Sequence, residues 1–165
     1  MATATVPQIP ARTTRAQIDD FLAQKRIAMV GLSRHPQDFT RHIMREFVRR
    51  GYEVIPVHPH TKVLAGHVCY AKVQDIRPAV LAALLVTRPE VSEQVVRDCA
   101  EAGIQQVWLH RGGGAGAVSE GAVKFCREHG MSVIAGECPM MFLDPPAFIH
   151  RVHGLVNKVM GKYPK

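Results

Sequence analysis

Five short apolar runs recur along the chain, and none of them alternates with polar residues. They lie at 26–31 ("RIAMVG"), 53–57 ("EVIPV"), 79–86 ("AVLAALLV"), 105–110 ("QQVWLH") and 132–136 ("SVIAG"). A strand with one wet face alternates; a strand covered on both faces reads as a continuous apolar run. Amphipathic stretches separate the runs. Residues 38–50 place Ile43, Met44, Phe47 and Val48 on one stripe, and Gly51 follows as a helix stop. Helices over 90–102 and 117–129 end the same way, at Gly103 and Gly130. Residues 14–24 carry Ile18, Phe21 and Leu22 at helical spacing, and Thr14 with Gln17 reads as a capping box. The section 60–78 has a weaker pattern, with a short strand around 67–70. The alternation predicts an α/β fold: a doubly wound, mainly parallel five-stranded sheet with helices on both faces.

At 165 residues the chain suits one domain with a substantial core. The expected organisation is a single domain over 1–165, with its core at about 25–140. An N-terminal helix at about 14–24 and a C-terminal helix at about 145–160 flank that core. The second of these carries Phe148, Ile149, Val152, Leu155, Val156 and Val159 on a helical repeat. It reads as packing on the sheet or as a surface for a protein partner or a homodimer. The net charge of +7 favours anionic partners: phosphate ligands, nucleic acid or acidic membrane surface. Aromatics at 6% and scattered basic residues argue against nucleic acid, since no stacking platform or reading helix stands out. No apolar run approaches the ~18 residues of a membrane span. The cysteines at 69, 99, 126 and 138 form no Cys-x-x-Cys pair and follow no secretory signal. They read as free thiols in a reducing, cytoplasmic setting. The first segment lacks acids and holds Arg12 and Arg15, like some organelle-targeting segments, but Asp19 and Asp20 soon follow. A frayed end leading into a helix is the simpler reading.

Ligands of such sheets bind beyond the carboxyl ends of the strands, near the switch in strand order. After the first strand comes "GLSRHP", residues 31–36. Gly31 allows a tight turn, Ser33 offers a hydroxyl, and Arg34 offers a forked cation suited to phosphate. The N-terminus of the next helix points at the same space, capped by Asp38 or Thr40 in the absence of ligand. Arg41, Arg45 and Arg49 recur along that helix, with Arg41 nearest its phosphate end. The turn is not the Gly-x-Gly-x-x-Gly of dinucleotide sites, because Ser33 and Pro36 replace the later glycines. Nor does a carboxylate follow the second strand, where "VHPHTK" stands instead. These two departures argue against a nicotinamide cofactor.

The pattern "VGLSRHP…GYEVIPVHP…LLVTRP…GIQQVWLH…ECP" resembles the CoA-binding family. This is the Rossmann-like domain also found at the N-terminus of the succinyl-CoA synthetase α subunit. Small stand-alone bacterial members have about this length, and the likeness covers roughly residues 25–140. The resemblance implies a cofactor, CoA or an acyl-CoA, and roles for particular residues. Gly31, Ser33 and Arg34 occupy the positions that meet the CoA diphosphate, flanked by Thr40 and Arg41. Pro59 to Lys62 lie at the adenosine end, with Lys62 as the phosphate cation. Thr87, Arg88 and Pro89 match the turn lying along the ligand, and Cys138 with Pro139 match a Cys-Pro pair after the fifth strand. The resemblance extends to no second domain with a phosphorylated histidine and to no ATP-grasp partner, so thioester-forming activity is not implied. Non-catalytic binding leads; an enzyme or enzyme subunit acting on acyl-CoA is the alternative.

Other signals point less far. His58, His60, His150, His153, His110, Glu137 and Cys138 are metal-ligating types, but they form no compact signature. Cys138 also fits a nucleophile or redox thiol, though a partly buried structural thiol is the simpler role. Cys99 and Cys126 fall inside helices and read as core. The loop "HRGGGAGAVSEG" is glycine-rich like a phosphate cradle but lacks the Gly-Lys-Ser/Thr ending, and reads as a mobile loop before a helix. Trp108, in a strand, reads as core.

Overall fold

The computed structural model describes residues 12–143 except 113 and 115. In chain order the helices are α1 (Arg15–Ala23), α2 (Phe39–Arg49), α3 (Pro89–Glu101) and α4 (Glu120–Glu128). The strands are β1 (Arg26–Val30), β2 (Glu53–Val57), β3 (Val63–Leu64), β4 (His67–Val68), β5 (Ala82–Leu85), β6 (Gln106–Leu109) and β7 (Ser132–Ala135). Five strands form one sheet in the order β2-β1-β5-β6-β7, and every pairing in it is parallel. The expected α/β, doubly wound architecture is therefore present.

The register explains why the apolar runs do not alternate. Met29, Leu84, Trp108 and Ile134 are consecutive partners across β1, β5, β6 and β7. All four face one apolar layer, with Ile18 and Phe21 of α1 and Ile43, Met44 and Phe47 of α2. One residue earlier in each strand, Ala28, Ala83, Val107 and Val133 are partners too. They face the opposite layer, with Val95, Val96 and Cys99 of α3 and Ala122 and Cys126 of α4. Both faces of each strand are covered, so both parities are apolar. Trp108 lies fully inside the first layer, edge-on to Phe21 at 5.2 Å.

Local signals set the element ends. Thr14 and Gln17 form the expected reciprocal box at the start of α1. Asp38, rather than Thr40, caps α2, and Ser119 caps α4, which therefore begins three residues later than its sequence pattern suggests. The short strand expected around 67–70 is β4, paired antiparallel with β3 in a small hairpin and followed by Tyr70, which bridges Val57 in parallel. No helix among the described residues is long and apolar enough to cross a membrane. The expected helix at 145–160, with its proposed partner surface, lies outside the described residues.

Candidate functional site

The strand order reverses between β1 and β5, since β1 connects outward to β2 while the chain later returns to β1's other side. That is the crevice where open α/β sheets take ligands. There the chain leaves β1 through Gly31, at φ +89°. A Cβ at Gly31 would stand 2.6 Å from Thr87 Cγ2 and 3.0 Å from the Thr87 nitrogen. Only glycine fits both the conformation and the space, so the turns after β1 and β5 lie in direct contact.

The turn beyond Gly31 is held from behind. Leu32 is fully buried in the α2-side layer. The Ser33 amide donates to Thr40 Oγ1 at 3.0 Å, and Arg41 Nη1 donates to the Ser33 carbonyl at 3.3 Å. The Thr40 hydroxyl and amide both donate to Asp38 Oδ1, at 2.7 and 2.8 Å. These two bonds hold the Asp38 carboxyl below the usual aspartate range. In front, the Ser33 hydroxyl accepts from the His35 amide at 3.2 Å.

A cleft of about 790 Å³ opens in front of this turn, within the range of small-molecule sites. Gly31, Ser33, Arg34 and His35 form one wall, and Thr87 and Arg88 form the next. His58, Pro59 and His60 line the end of β2, while Val91, Val95 and Asp98 of α3 close the far side. Lys72 and Val73 also line it. Arg34, Lys72 and Arg88 make no ion pair among the described residues. The Asp98 carboxylate accepts from Gln94 Nε2 at 3.1 Å. The cleft thus combines apolar valine surface with an excess of uncommitted cations, which suits a ligand with an anionic segment and an apolar one. Thr87 is fixed by its hydroxyl, 2.7 Å from that of the fully buried Ser92.

Of the residues expected from sequence, Gly31, Ser33, Arg34, Pro59, Thr87 and Arg88 line this cleft together. The others do not. Thr40 and Arg41 act on the turn's backbone, and Arg41 borders a separate groove with Arg45 and Arg49. There Arg45 donates to the Pro36 carbonyl at 3.1 Å and Arg49 pairs with Glu46 at 2.7 Å. Pro89 is the first residue of α3, outside the lining. Lys62 is exposed at the base of the β3–β4 hairpin, where its carbonyl accepts from the Cys69 amide. Cys138 is buried in the α1–α2 layer with Trp108 and Met140, away from the cleft lining. Burial pushes its thiol up to about 11. Cys126 is pushed up to about 12, and Cys99 upward too, both by burial between α3 and α4.

Sequence reasoning missed Lys72. The chain returns from the hairpin and pairs with the end of β2: the Tyr70 amide donates to Pro56 and the His58 amide to Tyr70. That pairing sets Lys72 at the cleft. No local pattern in 60–78 announces it.

Among the described residues no three His, Cys, Asp or Glu side chains are grouped to hold a metal. His58 and His60 have ring centres 5.8 Å apart. His110 directly follows β6, buried beside Phe39. The Glu137 carbonyl accepts from Trp108 Nε1 at 2.9 Å, and its carboxyl is pushed up to about 7 by burial. The glycine loop folds back on β6: Ala117 donates to the His110 carbonyl at 2.7 Å and Arg111 Nε to the Gly114 carbonyl at 2.8 Å.

Comparison with known proteins identifies the family. Residues 25–144 match the model of the CoA binding domain family. The uncharacterized protein YneT of Bacillus subtilis is 28% identical over 126 residues, covering 76% of this chain and 90% of its own. A hypothetical protein from Pyrococcus horikoshii superposes with a TM-score of 0.74 at 25% identity, over 88% of this chain and 99% of its own. A dinucleotide-forming acetyl-coenzyme A synthetase from Ca. Korarchaeum cryptofilum matches at 28% identity and a TM-score of 0.59, over 68% of this chain but only 26% of its own. With the family model spanning most of its length, the chain belongs to the CoA binding domain family.

Proposed function

We propose that the protein binds CoA or an acyl-CoA non-covalently in the cleft between the ends of β1, β2 and β5. The diphosphate lies at the Gly31–Arg34 turn, and the pantetheine arm passes Thr87 and Arg88 along the valines of α3. The observation that carries this reading is the contact of Gly31 with Thr87, which leaves a bare backbone turn open to a ligand between Arg34 and Arg88. Binding without catalysis is favoured by Cys138. A reactive thiol is exposed and has a lowered pKa, whereas this one is buried and raised. Four free cysteines suit a reducing, cytoplasmic setting.

The test is calorimetric titration with CoA, with NADP beside it. Saturable binding of CoA, no binding of NADP, and a roughly tenfold loss in Arg34→Ala are expected, from one charge-assisted hydrogen bond. Absence of CoA binding, by heat and by thermal stabilisation, would refute the reading.

A further inference from the structure

We propose that the groove between α2 and the β3–β4 hairpin is a docking site for an acidic, extended segment of a partner protein, and that filling it loosens the turn after β1 and weakens CoA binding. The docking stands on its own; its effect on the ligand rests on the CoA reading above.

The groove has a volume of about 490 Å³ and shares no lining residue with the cleft. Arg41, Arg45 and Arg49 of α2 line one wall. They stand four residues apart, so successive positions rise by about 6 Å along the helix. Ala65, Gly66 and His67 of the hairpin form the other wall. Met44 and Val48 lie between the arginines, the first buried and the second exposed. No Asp or Glu lines the groove. The single acid of α2, Glu46, is buried and already accepts from both Arg49 and Arg50, at 2.7 and 2.6 Å. Arg41 and Arg45 make no ion pair among the described residues.

This excess of cations selects an anionic occupant, and the rest of the lining selects its kind. No Phe, Tyr or Trp lines the groove to stack a base, whereas Met44, Val48 and Ala65 suit aliphatic side chains. A concave site between two elements admits a single chain rather than a flat lipid surface. Alternate residues of an extended chain lie about 6.8 Å apart, close to the rise between the arginines. Carboxylates at alternate positions therefore meet successive arginines, and the residues between them face the Ala65–Gly66 wall.

Two of these arginines also hold the ligand turn. Arg41 Nη1 donates to the Ser33 carbonyl at 3.3 Å, and Arg45 Nη1 to the Pro36 carbonyl at 3.1 Å. A carboxylate is a stronger acceptor for a guanidinium than a peptide carbonyl is. A docked acid draws these donors away, so the segment 33–36 loses two of its ties and CoA must order it. By linkage, CoA weakens the docked segment by the same factor.

Fluorescence anisotropy with a short labelled peptide of alternating Glu and Ala tests the docking, on the wild type, Arg45→Gln, Arg49→Gln and Lys124→Gln. The wild type is expected to bind it saturably, and not the peptide with Gln in place of Glu. Arg45→Gln and Arg49→Gln each weaken binding severalfold. Lys124→Gln removes an equal charge from an exposed site on α4 and changes it by less than about twofold. No binding by the wild type, or an equal loss in all three variants, overturns the docking site. So does tighter binding of an oligothymidylate or of phosphatidylserine vesicles that is lost in Arg45→Gln, which assigns the groove to that partner instead. Calorimetry with CoA, in the presence of saturating peptide, is expected to show severalfold weaker binding; an unchanged CoA affinity overturns the coupling. Failure to bind CoA in the absence of peptide overturns the CoA reading and leaves the docking result standing.

Discussion

Replacing Gly31 with alanine tests the geometry on which the site depends. Two costs arise, and both can be estimated. The first is conformational: a residue with a Cβ at φ +89° is strained, by about 1–2 kcal/mol for a left-handed conformation. The second is steric. The new methyl would stand 2.6 Å from Thr87 Cγ2, with the Thr87 nitrogen at 3.0 Å and Cα at 3.1 Å. A methyl forced into packed surroundings costs about 1–3 kcal/mol. Together they predict a loss of about 2–5 kcal/mol, a large share of the ~5–15 kcal/mol that holds a domain folded. Chemical denaturation reads the loss directly. A double-mutant cycle separates the two contributions. Thr87→Ser deletes Cγ2 but keeps the hydroxyl that meets Ser92. In that background Gly31→Ala should cost about 1 kcal/mol less, because the methyl clash is relieved while strain and backbone contact remain. A Gly31→Ala protein within ~0.5 kcal/mol of wild type would refute the contact between the two turns, given the scale of surface substitutions. So would an unchanged cost in the serine background, for the steric part.

Two further predictions concern groups outside the cleft. Glu137 titrates near 7 when folded, against about 4.5 otherwise, so the folded state binds its proton more tightly and stability is lost as pH rises from about 4.5 through 7. Glu137→Gln should match wild type in denaturant midpoint at pH 4 and exceed it at pH 8; an equal effect at both pH values would show that burial of the charge is not the cause. Cys99, Cys126 and Cys138 are buried with raised thiol pKa values, so an alkylating agent at pH 8 should label them only after unfolding. Rapid modification of Cys138 in the native protein, read by mass spectrometry, would restore it as a reactive thiol.

The strands were legible because double-sided burial leaves a mark in consecutive residues, as in Ile27 to Val30, where neighbours face opposite layers. The turn after β1 was legible for the same local reason: glycine, serine and arginine stand within four positions, and the fold needs only the end of one strand to place them. Lys72 was not, because its position depends on Tyr70 pairing with Pro56 and His58, a contact between segments joined by the hairpin. Cys138 shows a different limit. Its place after β7 assigns it to the carboxyl edge of the sheet, but that edge has two sides. The cleft lies on the side of α3, where Val95 joins the layer containing Ala28 and Val107. The chain beyond Gly136 turns instead through Pro139–Met141 into the layer of α1 and α2, carrying Cys138 with it. The sheet itself therefore separates the thiol's layer from the valine-lined wall of the cleft. The rule that ligands gather at strand ends names the edge; the packing of the segment that follows decides the side. Thr40 and Arg41 obey the same logic from within a helix. They lie in the first turn of α2 beside the turn after β1, yet their polar atoms reach that turn's backbone rather than the cleft, so they set the shape of the cleft wall rather than its lining.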